Sequence, residues 1–142
     1  MILVIGGRNQ GKLAYTKERF MMKEEDFIDG RICSDLEIYH TKGIKNFHEY
    51  IKRRLKENDL EESFAEDLCL KNPHIIIITD EIGYGIVPVD PFERRYREQV
   101  GRICTNLAKQ SIEVHRVICG IGQMIKSNGK DPMLVNKRET DR

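Results

Sequence analysis

The sequence predicts an α/β fold, a mostly parallel sheet covered by helices, and three observations carry that prediction. Short apolar runs with strand character alternate with stretches whose apolar residues recur at helical spacing. The most apolar run, Ile75-Ile76-Ile77-Ile78, has the β-branched continuity of a central strand buried on both faces. The first run, residues 1–5, leads at once into a glycine-rich loop and then a helical stretch, the order strand, loop, helix.

Taken in order, MILVI at residues 1–5 forms the first strand, and Lys12 to Met22 the first helix. Phe27-Ile28, closed by Asp29-Gly30, is a short second strand. From Thr41 to about Lys56 the residues Ile44, Phe47, Ile51 and Leu55 keep helical spacing, with Lys52, Arg53, Arg54 and Lys56 forming a basic, solvated face. A short acidic helix follows over Glu61 to Leu70. Asn72-Pro73 breaks the chain before the strand His74 to Thr79, which ends in Asp80-Glu81. Asp90-Pro91-Phe92-Glu93 places a carboxylate at an N-cap, proline at the first helical position and glutamate at the third. Phe92, Tyr96, Val100, Ile103 and Leu107 carry that helix to about Gln110. Ile112 to Ile118 is the last expected strand, closed by Gly120 and Gly122. The reading is one domain over residues 1–126 and a polar tail over 127–142, whose apolar residues are Met133, Leu134 and Val135.

Composition excludes several classes. A chain of 142 residues with 33% charged residues and a net charge of +1 offers no global attraction for nucleic acid or an anionic membrane. No apolar run approaches the roughly 18 residues of a membrane span. Cys33, Cys69, Cys104 and Cys119 are scattered without a CxxC pair, which reads as reduced thiols in a cytoplasmic protein rather than a zinc site.

The chemistry concentrates in Gly6-Gly7-Arg8-Asn9-Gln10-Gly11-Lys12-Leu13, which has the spacing GxxxxGK of a phosphate loop. Glycines let successive backbone N–H groups turn inward around a phosphate. Lysine adds a point charge, and the following helix presents its positive end. The next position normally carries the Ser or Thr whose hydroxyl holds Mg²⁺; here it is Leu13, and Thr16 lies one turn further on. Carboxylates at strand ends supply the second half of such a site. Asp80 and Glu81 are the catalytic candidates beside Lys12, with Asp80 as the candidate Mg²⁺ ligand and Asp29 a weaker one from the second strand. Gly83 and Gly85 around Tyr84 form a loop near the site, suited to closing over a ligand.

The run Thr79-Asp80-Glu81-Ile82-Gly83-Tyr84-Gly85-Ile86-Val87-Pro88 resembles a loop of the bifunctional adenosylcobinamide kinase/adenosylcobinamide-phosphate guanylyltransferase family. In that family E-V-G-x-G-I-V-P follows a central strand. Arg94, Tyr96, Arg97, Glu98, Gly101, Arg102, Leu107 and Ala108 match its helix pattern R-x-F-R-D-x-x-G-R-x-x-x-x-L-A. Gly120, Ile121 and Lys126 resemble its closing G-I-x-x-x-x-K segment. With the N-terminal loop, the resemblance covers residues 1–12 and roughly 75–126.

The resemblance implies a P-loop nucleotide-binding fold, a homo-oligomer (a trimer in the family), and two transferase activities in cobalamin biosynthesis. One phosphorylates a corrinoid hydroxyl; the other transfers GMP to that phosphate through a guanylylated histidine. The family's histidine lies in a basic segment before the central strand, where this chain is shorter, so guanylyl transfer is expected to be lost. His40 is the nearest candidate, and His48 reads as a structural histidine. The expected ligands are GTP or ATP, Mg²⁺ and a corrinoid. Asn136-Lys137 is followed by Arg138-Glu139, which is not the guanine-reading N-K-x-D, so the base is left open. Leu13 and the missing histidine keep a second reading in view, a catalytically silent nucleotide-binding or regulatory subunit.

Overall fold

A computed structural model describes residues 1–83 and 85–127; Tyr84 and the expected tail beyond Ser127 lie outside the described residues. The elements are β1 (Ile2–Gly6), α1 (Lys12–Phe20), β2 (Phe27–Asp29), β3 (Gly43–Lys45), α2 (Phe47–Lys56), α3 (Phe64–Lys71), β4 (Ile76–Asp80), α4 (Pro91–Gln110), β5 (Glu113–Ile118) and β6 (Ile121–Ser127). They build one sheet in the order β2-β3-β4-β1-β5-β6. β1 to β5 are parallel, and only β6 runs antiparallel, against β5. This is the α/β class the sequence predicts.

Burial on both faces explains the continuous apolar runs of β1 and β4. Successive side chains of a strand point to opposite faces. Leu3 and Ile77 enter a core shared with Ile44, Ile51, Leu68, Tyr96 and Leu107, beneath α2, α3 and α4. Val4, Ile76 and Ile78 enter a smaller cluster with Val117, closed by Leu13, Tyr15 and Phe20 of α1. Strand β4 sits between β3 and β1, so its three isoleucines, with Ile75 just before them, fill the middle of both layers.

Two elements differ from the sequence reading. The stretch expected as one helix from Thr41 is a strand, β3, and a helix, α2, separated by Asn46 at φ 54°. Ile44 satisfies the helical spacing with Phe47 and Ile51, but its backbone pairs with Ile77 of β4 and its side chain is fully buried there. Gly43 is tight against Phe27: a Cβ at this position would lie 2.7 Å from the ring. The second difference is β6, which follows the strand expected to be last. Ile118 faces Ile121 across a two-residue turn, Cys119-Gly120, with φ 52° and 75°. Positive φ at both central residues is what the right-handed twist of a tight hairpin favours.

Helix α4 starts as its residues direct. The Asp90 side chain accepts a hydrogen bond from the Phe92 N–H at 2.9 Å, and Pro91 occupies the first turn.

Candidate functional site

The glycine loop leaves the carboxyl end of β1 and enters α1. Gly6 is required by close approach, because a Cβ there would lie 2.5 Å from the Val117 carbonyl oxygen. Asn9 and Gly11 take positive φ, 59° and 86°, as the loop reverses. Gln10 is the anchor: its carbonyl accepts from Gly120 N–H at 2.7 Å, and its Oε1 accepts from Cys119 N–H at 2.8 Å. The β5–β6 turn therefore holds the loop from behind. Along α1, peptide dipoles sum to a positive end at Lys12, facing the loop's concavity.

Lys12 is 7% exposed, and its ammonium donates to the Gly7 carbonyl and to Asp80 Oδ1, both at 2.7 Å. Register explains the pairing, since Gly6 lies opposite Asp80 where β1 meets β4. The sequence reading brought Lys12 and Asp80 into one site, and the structure joins them directly.

His48 is the residue the sequence reading did not place here. It projects from α2, and its Nδ1 accepts the Asp80 backbone N–H at 3.2 Å. Its Nε2 lies 3.4 Å from Asp80 Oδ2 and 3.8 Å from Glu49 Oε1. Burial lowers its pKa, against the opposing pull of Asp80 and Glu49, so the ring is neutral near pH 7. With Nδ1 accepting, the proton of the neutral ring sits on Nε2. Its lone pair is thus occupied.

These groups open on a cleft of about 510 Å³, lined along the loop from Arg8 to Ala14 and walled by Arg31, Lys45, Asn46, His48, Glu49 and Asp80. The rim is basic. Leu13 touches the cleft but packs toward the α1-face cluster. Thr16 is fully buried, its hydroxyl donating to the Lys12 carbonyl at 2.7 Å. Neither presents a hydroxyl to the cleft.

The remaining candidates are spread out. Asp29 does not line the cleft. Burial pushes its carboxyl up, but hydrogen bonds from Arg31 and Asn46 outweigh this and hold it well below the usual range, so it serves to brace those two cleft residues. Glu81 turns away from Lys12, accepting from Arg116 Nε at 2.8 Å and Nη2 at 3.0 Å. With Gly83 it lines a smaller hollow of about 270 Å³, together with Ile5, Ile82, Val100 and Cys104. Gly83 and Gly85 have φ 108° and 97°, and Ile86, Val87 and Val89 beyond them are exposed. His40 lies at the other, amino-terminal end of the strands, beside Thr41, Lys42, Asn72 and His74.

A glycine loop and lysine after the first strand, with a carboxylate ending the adjacent parallel strand, define a P-loop α/β domain. The family model for cobinamide kinase / cobinamide phosphate guanyltransferase matches residues 38–125, and the chain belongs to that family. It is similar to the bifunctional adenosylcobalamin biosynthesis protein CobU of Salmonella typhimurium and to that of Escherichia coli. Each is 40% identical over 59 residues, 41% of this chain. The matched stretch spans 33% of the length of those relatives. The family match takes in His48, Asp80 and Glu81 and begins after the glycine loop, so the loop rests on its own spacing and geometry.

Proposed function

We propose that the chain binds a purine nucleoside triphosphate, ATP or GTP, in the Gly6–Leu13 loop and transfers its terminal phosphoryl group to a corrinoid hydroxyl, without guanylyl transfer. The observation that carries this reading is the meeting of Lys12, Asp80 and the amino end of α1 at the mouth of one basic cleft. Loop and helix N–H groups receive phosphate oxygens, and Lys12 stabilises the charge that builds on the transferred group. The cleft fits Mg²⁺ through the Asp80 carboxylate, a hard oxygen donor 20% exposed beside the phosphate path. A bound Mg²⁺ supplies charge neutralisation at the phosphates. The acceptor is assigned to the neighbouring hollow, which Asp80 and Gly83 both line and which the segment of Gly85 and the exposed Ile86-Val87 follows in the chain.

Loss of guanylyl transfer is supported by the two histidines. His48 is close, but its lone pair is engaged by the Asp80 N–H; His40 is at the far end of the sheet. The protein is further read as a cytoplasmic homo-oligomer in cobalamin biosynthesis that binds neither membrane nor nucleic acid. No helix among the described residues is long and apolar enough to cross a membrane. Leu13 favours the second reading, a silent nucleotide-binding subunit, because its packed position leaves the loop without the hydroxyl that usually holds the metal.

Calorimetry with ATP and GTP, with and without Mg²⁺, tests the site. Lys12→Ala removes charge-assisted hydrogen bonds, an expected loss of about ten- to hundredfold in affinity. Binding that survives this substitution unchanged overturns the reading. Phosphorylation of cobinamide in a turnover assay then separates the kinase from the silent subunit.

A further inference from the structure

Three charged or polar groups meet at the cleft floor in a fixed order. His48 Nδ1 accepts the Asp80 backbone N–H while its Nε2 lies 3.4 Å from Oδ2, and the Asp80 carboxylate accepts from Lys12. The Lys12 ammonium is thereby committed to a carboxylate and a carbonyl, while the free acceptor capacity of Asp80 faces the cleft. A metal-free nucleoside triphosphate entering this cleft must draw Lys12 away from Asp80 and bring its own negative charge close to that carboxylate. A metal-complexed nucleotide meets the opposite situation: the same carboxylate becomes a favourable partner for the cation, and Lys12 is released toward the phosphates.

We propose that Asp80, held by His48, is the specificity-determining residue that makes this site select metal-complexed nucleotide over metal-free nucleotide and other bare phosphates. It does so by competing for Lys12 until a divalent cation takes the carboxylate. This rests on the nucleotide-binding reading above and goes beyond it, because it gives Asp80 opposite effects on the two ligand forms. His48 is a positioning residue here. Its Nδ1 holds the strand end through the Asp80 N–H, which fixes the backbone from which the carboxylate reaches Lys12 with Oδ1. Leu13 gives the device its weight: with no hydroxyl from that position, the metal preference falls on Asp80.

The test is calorimetry of the full chain with ATP and with GTP, in chelator and in excess Mg²⁺, for wild type, Asp80→Asn and His48→Gln. Thermal melts establish that each variant is folded. Asp80→Asn keeps the shape and removes the charge, so metal-free affinity is expected to rise about tenfold from relieved repulsion while Mg²⁺-nucleotide affinity falls by a similar factor. His48→Gln retains a cap for the Asp80 N–H and loses the ring geometry; it is expected to shrink the ratio of metal-bound to metal-free affinity part of the way. Equal losses in Asp80→Asn under both conditions, or an unchanged ratio, overturn the proposal while leaving nucleotide binding intact. Failure of the wild type to bind in either condition overturns the nucleotide-binding reading together with it.

Discussion

Leu13 is where the sequence departs most from a working phosphate loop, and its surroundings say what the departure gains. Its side chain joins Tyr15, Phe20 and Val117 on the α1 face of the sheet. Leu13→Ser exchanges that packing for the missing hydroxyl. Expected are a stability loss of about 1–2 kcal/mol in urea unfolding, for a partly buried leucine, and tighter nucleotide binding in Mg²⁺ only. A variant whose metal-dependent affinity is unchanged shows that the hydroxyl has no place to act. At this scale the sequence is legible where the pattern is local. Gly6, Gly11 and Lys12 are recognisable from spacing within seven residues. His48 was not, because its role is set by partners 32 residues away at Asp80 and by the depth at which α2 packs. Alone between Phe47 and Tyr50, it carries the same local pattern as a histidine merely buried in a core.

The elements divide in the same way. Helix α4 was legible to within a residue because both its ends are written locally, with Asp90-Pro91 at the start and five apolar residues in register behind. Asp90→Ala removes the hydrogen bond to the Phe92 N–H and is expected to cost about 1 kcal/mol. A urea midpoint unchanged by the substitution refutes the capping role. Strands β3 and β6 were not legible. Three residues are too few to display a period of two, and Gly43-Ile44-Lys45 happens to continue the helical spacing of α2. β6 is an edge strand whose alternation is shallow, half-buried against exposed, and its turn is Cys-Gly in place of the usual Asn-Gly. What reveals both strands is a partner, β4 for one and β5 for the other, which local pattern does not supply.

For the whole molecule, two buried histidines set the response to acid. Burial lowers the pKa of His48, beside Asp80, Glu49, Lys12 and Lys52, and of His115, fully buried between Tyr15 and Glu113 with Arg19 nearby. The unfolded chain takes up their protons near the ordinary value of 6.5, and the folded chain only at lower pH. Between those limits the unfolded state binds more protons, so stability rises with pH through this window and is lost as pH falls below about 6.5. Asp29, with its depressed carboxyl, adds a loss only under much stronger acid. Urea unfolding at about pH 5.5 and about pH 7.5 is expected to show the lower midpoint in acid, with a flatter profile in His115→Gln. A profile flat across this range in the wild type contradicts the burial argument.

The grip of Cys119 and Gly120 on Gln10 ties residues separated by about a hundred positions. The first piece of the site to leave the ribosome is therefore among the last to be secured. A nascent chain halted before Cys119 has every residue of the glycine loop and lacks the two N–H groups that hold Gln10 in place. The glycine loop therefore reaches its held form only once the hairpin at the far edge of the sheet has been made and closed.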